Sequence, residues 1–161
     1  VVEWSGWCAV DVDDYVVKGD LQDDLHSMFG HWEYVCYSTA SSTREHPKFR
    51  IVFKLGTPVV SDEIRSFWYA LNTELRSVGD KQCKDLSRMY YIPGSYAGAN
   101  NFIFSHNDGI DIDVDRLIAK HPVPLKPNLD NFFDRLPEAL QNENPFELQR
   151  RVNGVMTNTR L

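Results

Sequence analysis

Two carboxylates spaced two positions apart, Asp11 and Asp13, are the first residues in the chain whose types and spacing suggest chemistry. They follow Ala9 on one side of an alternating stretch whose other side is apolar, which predicts a strand over residues 6–13. Alternate side chains of a strand lie about 6.5–7 Å apart on the same face. Carboxylates on one strand face are the hard oxygen ligands that Mg²⁺ and Mn²⁺ prefer, and such ions stabilise phosphoryl transfer. The alternative is that the strand ends at Val12 and that both acids are solvated turn residues.

Other acids in the chain are weaker candidates. Asp111, Asp113 and Asp115 alternate in a second stretch, but it lacks the central glycine and terminal glutamate of an EF-hand calcium loop. Asp113 is explained more simply as the cap of the helix that follows. Asp80, directly after Gly79, is an isolated acid of the kind that is usually solvated in a loop.

Basic side chains follow in the middle of the chain. Lys48, Arg50 and Lys54 alternate on the outward face of a strand predicted from FRIVFKL, and Arg88 begins another predicted strand. Arginine forks bind phosphates with defined geometry, so arginines on neighbouring strands can clamp a triphosphate. For the two lysines the alternative is pairing with acids across strands. The sequence thus provides a candidate phosphate site besides the acidic strand.

The charge distribution decides whether a nucleic-acid partner is reasonable. A net charge of −6 argues against one at first, because phosphate binding relies on lysine and arginine. However, residues 1–33 carry eight acids and one base, whereas residues 34–90 carry nine bases and six acids. This split suits a metal site next to a phosphate-binding groove, although an uneven solvated surface gives the same counts.

The elements that would position these residues follow from hydrophobic periodicity. In chain order we expect a strand in 6–13, a helix around 21–29, strands in 33–38 and 49–55, a helix from Ser61 to Gly79, a short strand in 87–92, two short strands in 101–114 and a helix over 114–121. Strands interspersed with helices on one side predict an α+β fold with an antiparallel or mixed sheet. Prolines from residue 122 onward predict a domain of 1–121 and a C-terminal extension or linker of 122–161 with a short helix.

Composition limits the class of protein. The chain of 161 residues is 42% hydrophobic, as in one globular domain, and it has no apolar run near the ~20 residues that cross a bilayer. Three widely spaced cysteines predict reduced, buried thiols and hence a cytoplasmic protein, in the host cell if it is viral. The first residue is not methionine, so we expect a domain cut from a longer protein.

Three stretches carry a resemblance to a known family: WCAVDVDDY, YSTASSTREHPKFRIVFKLG and GDKQCKDLSRMYYIPGSY. They resemble the catalytic core of the archaeo-eukaryotic primase superfamily, and in particular the primase-polymerase domains of phage and plasmid replication proteins. The resemblance covers residues 6–118. It implies an RRM-like catalytic sheet with a small α/β unit. It also implies two divalent metals, Mg²⁺ or Mn²⁺, held by the catalytic residues Asp11, Asp13 and Asp80.

The same resemblance implies nucleotide contacts. Phage relatives have a Ser-His-Thr-like loop between the two strands, whereas this chain has Ser42 at the usual histidine position. His46, four residues further on, either reaches the phosphates or the role is lost. The expected nucleotide-binding residues are Ser41, Ser42, His46, Lys48, Arg50 and Arg88.

These expectations lead to one function and two alternatives. The first is a DNA primase or polymerase that joins NTPs or dNTPs on a single-stranded DNA template, with a helicase possible in the same parent chain and no membrane partner. The first alternative is an RRM-like sheet that binds single-stranded nucleic acid without chemistry, stacking bases on Tyr90 or Tyr91. The second is a rolling-circle nicking endonuclease, which needs a His-hydrophobic-His pair that the sequence lacks.

Overall fold

The computed structural model describes residues 3–80, 83 and 88–124. In chain order its elements are β1 (Glu3–Trp4), β2 (Trp7–Val12), α1 (Leu21–Phe29), β3 (Tyr34–Ser38), β4 (Phe49–Lys54), β5 (Val59–Val60), α2 (Ile64–Glu74), β6 (Ile103–His106) and α3 (Val114–Lys120). They confirm the α+β class, with antiparallel sheets and three helices. No helix within these residues is long and apolar enough to cross a membrane.

The chain divides into two units, and all the named elements belong to the first, Val1–Val123. The second unit begins at Pro124. The expected extension of residues 122–161, with its short helix, lies outside the described residues from position 125 onward. The boundary after residue 121 therefore stays a prediction.

The main sheet has four antiparallel strands in the order β2-β4-β3-β6, and β1 pairs separately with β5. Because β4 lies between β2 and β3, its residues from Phe49 to Phe53 each face a partner on both sides. Arg50 lies directly opposite Asp11 of β2 and Tyr37 of β3. The register therefore places a cation at the centre of the sheet with a carboxylate and a phenol beside it.

The other face of the sheet is apolar and packs against helices. Phe53 of β4 is fully buried there. Its ring centroid lies 5.2 Å from that of Phe29 on α1, 5.7 Å from Trp32 and 6.3 Å from Tyr34. Burying one such side chain stabilises the fold by about 1.5–3 kcal/mol. This packing fixes β4 and, through it, the position of Arg50.

Side-chain caps explain why two helices begin where the sequence predicts. The Asp20 carboxylate accepts hydrogen bonds from the backbone N–H groups of Gln22 and Asp23, which starts α1. Asp113 accepts from the Arg116 N–H at 3.0 Å and starts α3. Asp113 is therefore a helix cap, as expected.

The long helix is shorter than predicted. Instead of running from Ser61 to Gly79, α2 begins at Ile64, and Glu63 at its N-cap makes no capping bond through its side chain. It ends at Glu74 because Arg76 and Ser77 have φ values of 53° and 63°, in the left-handed region. The turn brings the following residues back towards β2.

Two predicted strands are absent from the described residues. The expected strand in 87–92 is wrong, because residues 88–94 belong to no helix or strand. Of the two strands expected in 101–114, the first is β6. The second is reduced to two isolated parallel bridges, Trp32 with Ile110 and Leu55 with Ile112.

Candidate functional site

A buried cluster of charges lies on the sheet face that is not occupied by the apolar core. The Arg50 Nε donates to Asp11 Oδ1 at 2.6 Å, and the Arg88 Nη2 donates to Asp11 Oδ2 at 2.9 Å. Asp11 is 6% exposed and Arg50 is 8% exposed. Each carboxylate oxygen of Asp11 therefore has a guanidinium partner, which is the compensation that a buried charge requires.

Asp80 lies beside this cluster. Its backbone N–H donates to the Asp11 carbonyl oxygen at 2.8 Å, which ties the turn after α2 to the end of β2. Its Oδ2 lies 3.4 Å from the same Arg88 Nη2 that contacts Asp11. Two carboxylates from distant parts of the sequence thus converge on one guanidinium nitrogen.

Asp13 takes a different position. Because β2 ends at Val12, Asp13 follows the strand, and its half-exposed carboxylate lies 3.5 Å from the Lys48 Nζ. In the part of the chain that the structure describes, no three Asp, Glu, His or Cys side chains form a group able to hold a metal. The metal-ligand role assigned to Asp11, Asp13 and Asp80 therefore stays a prediction.

Arg50 is held on several sides. Its Nη1 donates to the Tyr91 carbonyl oxygen at 3.1 Å and to the Tyr37 Oη at 3.4 Å, and its Cζ lies 4.6 Å from the centroid of the Tyr90 ring. Burial disfavours the charged guanidinium, but the hydrogen bonds to Asp11 and Tyr37 outweigh it, so the pKa of Arg50 is raised. Arg50 is a fixed cation.

Arg50 lies on the strand face opposite the apolar core, as expected, but it is buried there. The residues that bury it, Tyr90 and Tyr91, come from a segment without regular structure, and the Tyr90 Oη donates to the Ala9 carbonyl oxygen of β2. Lys54 does face outward, and it pairs with Glu33 and Asp111 at 3.3 and 3.0 Å. Acid pairing, the alternative considered for the lysines, is what the structure has at both of them.

The loop between β3 and β4 contains the remaining predicted contacts. Ser42 is buried, its Oγ accepts from the Lys48 N–H at 3.1 Å, and its carbonyl oxygen accepts from the Asn100 N–H at 2.8 Å. Ser41 and His46 are exposed, and the His46 N–H donates to Thr43 Oγ1. Ser42 thus holds the loop closed, and its neighbours remain at the surface.

Two cavities lie along the 91–96 segment, and both are bordered by Tyr37 and Ser38. One has a volume of about 190 Å³ and is lined by Tyr37, Ser38, Thr39, Ala40, Arg50, Tyr91, Ile92 and Tyr96. The other has about 330 Å³ and is lined by Tyr37, Ser38, Pro93, Gly94, Ser95, Asn101, Phe102 and Ile103. Tyr91 and Ile92 are each 82% exposed. The first cavity is thus an aromatic groove with the cation of Arg50 in its wall.

Sequence reasoning missed Tyr37 and Tyr96 in this groove. Tyr37 had a usable signal, because alternation within EYVCYS places it on the opposite side of β3 from the buried Cys36. Tyr96 had none, since it lies in a segment without periodicity.

A buried thiol contacts the backbone of Asp11. The Asp11 N–H donates to Cys83 Sγ at 3.1 Å. Burial raises the pKa of Cys83 to about 11, so the thiol is protonated at neutral pH. Cys8 and Cys36 are also free and buried, which confirms the expectation of buried thiols.

Asp11 and Asp80 bring together two of the three carboxylates that were expected to bind a metal. Mg²⁺ is commonly bound by one or two carboxylates, with water and substrate phosphates completing its shell. Asp11 and Asp80 provide two carboxylates that already converge on a positively charged nitrogen. Both carboxylate oxygens of Asp11 contact guanidinium groups, so binding of a divalent cation by this pair stays a prediction.

Comparison with known proteins identifies a family. A family model described as the VapE N-terminal domain matches residues 1–124, which is more than half of the chain. Comparison with curated proteins and with solved structures gave no match.

Proposed function

The chain belongs to the VapE N-terminal domain family, which is associated with phage and plasmid replication, and from this we propose that it is a DNA primase-polymerase domain. Such a domain joins NTPs or dNTPs on a single-stranded DNA template. The observation that carries the proposal is the convergence of Asp11 and Asp80 on Arg88, next to Arg50. Residues from three parts of the sequence thereby combine carboxylates with cations suited to phosphate.

The roles of the side chains follow from their contacts. Asp11 and Asp80 would hold Mg²⁺ or Mn²⁺, which when bound activates the attacking 3′-hydroxyl and neutralises the leaving phosphates. Arg50 keeps the Asp11 carboxylate oriented, since its Nε contacts Oδ1 directly. Asp13, which follows β2, pairs with Lys48, which precedes β4, and the two add a partly exposed carboxylate and ammonium near the end of β2.

The aromatic groove is the proposed seat for a nucleobase. Tyr91 is exposed and Tyr96 is partly exposed along this groove, and stacking on aromatic side chains holds single-stranded nucleic acid without reading its sequence. Arg50 lines the same cavity, so its positive charge lies near these rings. The groove thereby connects the charged cluster to a surface suited to a template or an incoming nucleotide.

A primer-synthesis assay tests the proposal. The full chain is incubated with a single-stranded template, labelled NTPs or dNTPs, and Mn²⁺ or Mg²⁺, and products are resolved on a denaturing gel. Asp11→Asn and Asp80→Asn should each lower the rate of synthesis by at least about 100-fold, because each variant would lose several kcal/mol of transition-state stabilisation. Asp62→Asn, at an exposed position, is the matched control and should keep the wild-type rate. Wild-type rates in all three variants would contradict the proposal.

A second candidate function is a domain that binds single-stranded nucleic acid without catalysis. It is favoured by the bonding of both Asp11 carboxylate oxygens to arginines. Under this function the chain binds a labelled oligonucleotide equally well with EDTA and with Mg²⁺, and forms no product in the synthesis assay. A helicase in the same parent protein stays a prediction.

A further inference from the structure

An exposed tryptophan lies on the same strand as Asp11 and takes no part in the charged cluster. Trp7 begins β2, and strand alternation places its side chain on the same face as Ala9 and Asp11. Trp7 is 51% exposed. The other three tryptophans of the chain are buried: Trp4, Trp32 and Trp68. Among the described residues, which include all four tryptophans, Trp7 is the one whose ring is open to a ligand.

The ring of Trp7 is connected to the aromatic groove through Tyr90. The two ring centroids lie 6.2 Å apart, in an edge-to-face arrangement. Tyr90 also contacts Arg50, whose Cζ lies 4.6 Å from the centroid of the tyrosine ring, and Arg50 lines the groove. The surface that begins at the groove therefore continues without a break through Tyr90 to Trp7 at the start of β2.

The sheet between Trp7 and the groove adds apolar surface. Val52 of β4 lies opposite Ala9, and Val35 of β3 lies opposite Val52, so both valines share the face of Trp7. Both are partly exposed. Trp7 and Tyr37 lie two strands apart and four residues apart along the strands, which separates their backbones by about 16 Å. An extended strand of a few nucleotides spans this distance.

We propose that Trp7 stacks on a base of single-stranded DNA, and that the bound strand runs from the aromatic groove across the sheet to the start of β2. Sheets that bind single strands stack successive bases on exposed aromatic side chains. Lys54, the residue opposite Trp7, is already paired with Glu33 and Asp111, so the attraction at this end comes from the ring and not from phosphate contacts. This inference rests on the single-stranded template of the proposed function and extends its path beyond the groove.

Tryptophan fluorescence of the full chain, titrated with unlabelled oligothymidylate, tests the stacking directly. A stacked base should quench the emission of the wild type and protect it from acrylamide, because Trp7 is the exposed tryptophan. Trp7→Phe should lose this quenching. The variant should bind within about threefold of the wild type, because phenylalanine also offers a ring face.

The affinity of a labelled oligothymidylate, measured by fluorescence anisotropy, tests the contribution of the ring. Trp7→Ala should bind at least about fivefold more weakly than the wild type, since a stacked base is lost. The factor should be the same at low and at high salt, because stacking involves no ion pair that salt screens. Tyr69→Ala, which removes a partly exposed ring from α2, is the matched control and should bind as the wild type does.

The outcomes separate this inference from the function on which it rests. Binding without quenching, or equal affinity of Trp7→Ala and the wild type, would overturn the stacking role and leave the groove as the binding surface. No binding of oligonucleotide by the wild type would overturn the proposed function together with this inference. If Trp7→Ala does not fold, Trp7→Phe decides, and quenching that persists in it would overturn the proposal. A blue shift of the emission on concentrating the protein without oligonucleotide would show instead that a second copy covers Trp7.

Discussion

Arg50 and Asp11 face each other across β4 and β2, with 2.6 Å between Nε and Oδ1. The pair is buried, and the remaining bonds of Arg50 reach Tyr37 on the neighbouring strand and the carbonyl oxygen of Tyr91. One guanidinium therefore joins β2, β3, β4 and the segment that covers them. This side chain therefore helps to fix the geometry of the candidate site.

Arg50→Met should destabilise the fold because it leaves the buried Asp11 with less compensation. Removing one partner of a buried ion pair typically costs about 3–5 kcal/mol, and the remaining Arg88 contact places the expected loss near the lower end. Urea unfolding measures it, with Arg65→Met on the exposed side of α2 as the control. The double variant with Asp11→Asn should lose less than the sum of the single losses. Additive losses would mean that the pair is not coupled.

Tyr91→Ala should weaken binding of single-stranded DNA. Its side chain is largely exposed beside the aromatic groove, so the substitution removes a stacking surface without opening the core. One base stacked on an aromatic ring is worth about 1–3 kcal/mol, which corresponds to roughly a 5- to 150-fold loss of affinity. Fluorescence anisotropy with a labelled oligonucleotide measures the loss. Tyr69→Ala, at a partly exposed position on α2, should bind as the wild type does; equal weakening in both variants would remove the groove from consideration.

Periodicity and capping sufficed to predict the parts of the fold that are locally encoded. Alternation predicts β2 and β4, apolar periodicity predicts α1, and Asp113 marks the start of α3. The end of α2 was not predicted, because the residues that adopt left-handed backbone angles there are Arg76 and Ser77 and not glycines.

Four residues of the charged cluster were among those expected at the site, but their contacts were not predicted. Asp11, Asp80, Arg50 and Arg88 were all expected to contribute, and the structure brings them together. Tertiary contacts with Tyr90 and Tyr91 bury Arg50. The sequence of their segment had instead predicted a strand. Local patterns carry no information about which distant segment will cover a strand.

The three thiols should react slowly in the native protein. All are buried, and because burial raises the pKa of Cys83 to about 11, only about 0.1% of that thiol is ionised at pH 8. Ellman's reagent at pH 8 measures the reaction, and adding urea should release three fast-reacting thiols. Rapid labelling of Cys83 without urea would show that the contact beneath Asp11 opens readily.

Glu74 should contribute stability that depends on pH. Burial acts to raise its pKa, but hydrogen bonds from Lys120 and His121 prevail and lower the pKa below the usual value for a glutamate. The carboxylate contribution is therefore present above about pH 4.5 and is lost as the pH falls through the lowered value. Glu74→Gln should cost up to about 1 kcal/mol at pH 7 and little at pH 3 in urea unfolding. Glu45→Gln in the exposed loop is the control, and an equal cost at both pH values would contradict the assignment.

Gly109→Ala should destabilise the connection between β6 and α3. A Cβ at this position would lie 2.2 Å from the Trp32 carbonyl carbon and 2.5 Å from the Glu33 nitrogen, so backbone must move. Overpacking of this kind costs about 1–3 kcal/mol, and it should also weaken the bridge between Trp32 and Ile110. Gly19→Ala, where a Cβ meets nothing within 4 Å, is the control and should be neutral or slightly stabilising in thermal unfolding. Equal melting temperatures for the two variants would show that the Trp32 backbone relaxes without cost.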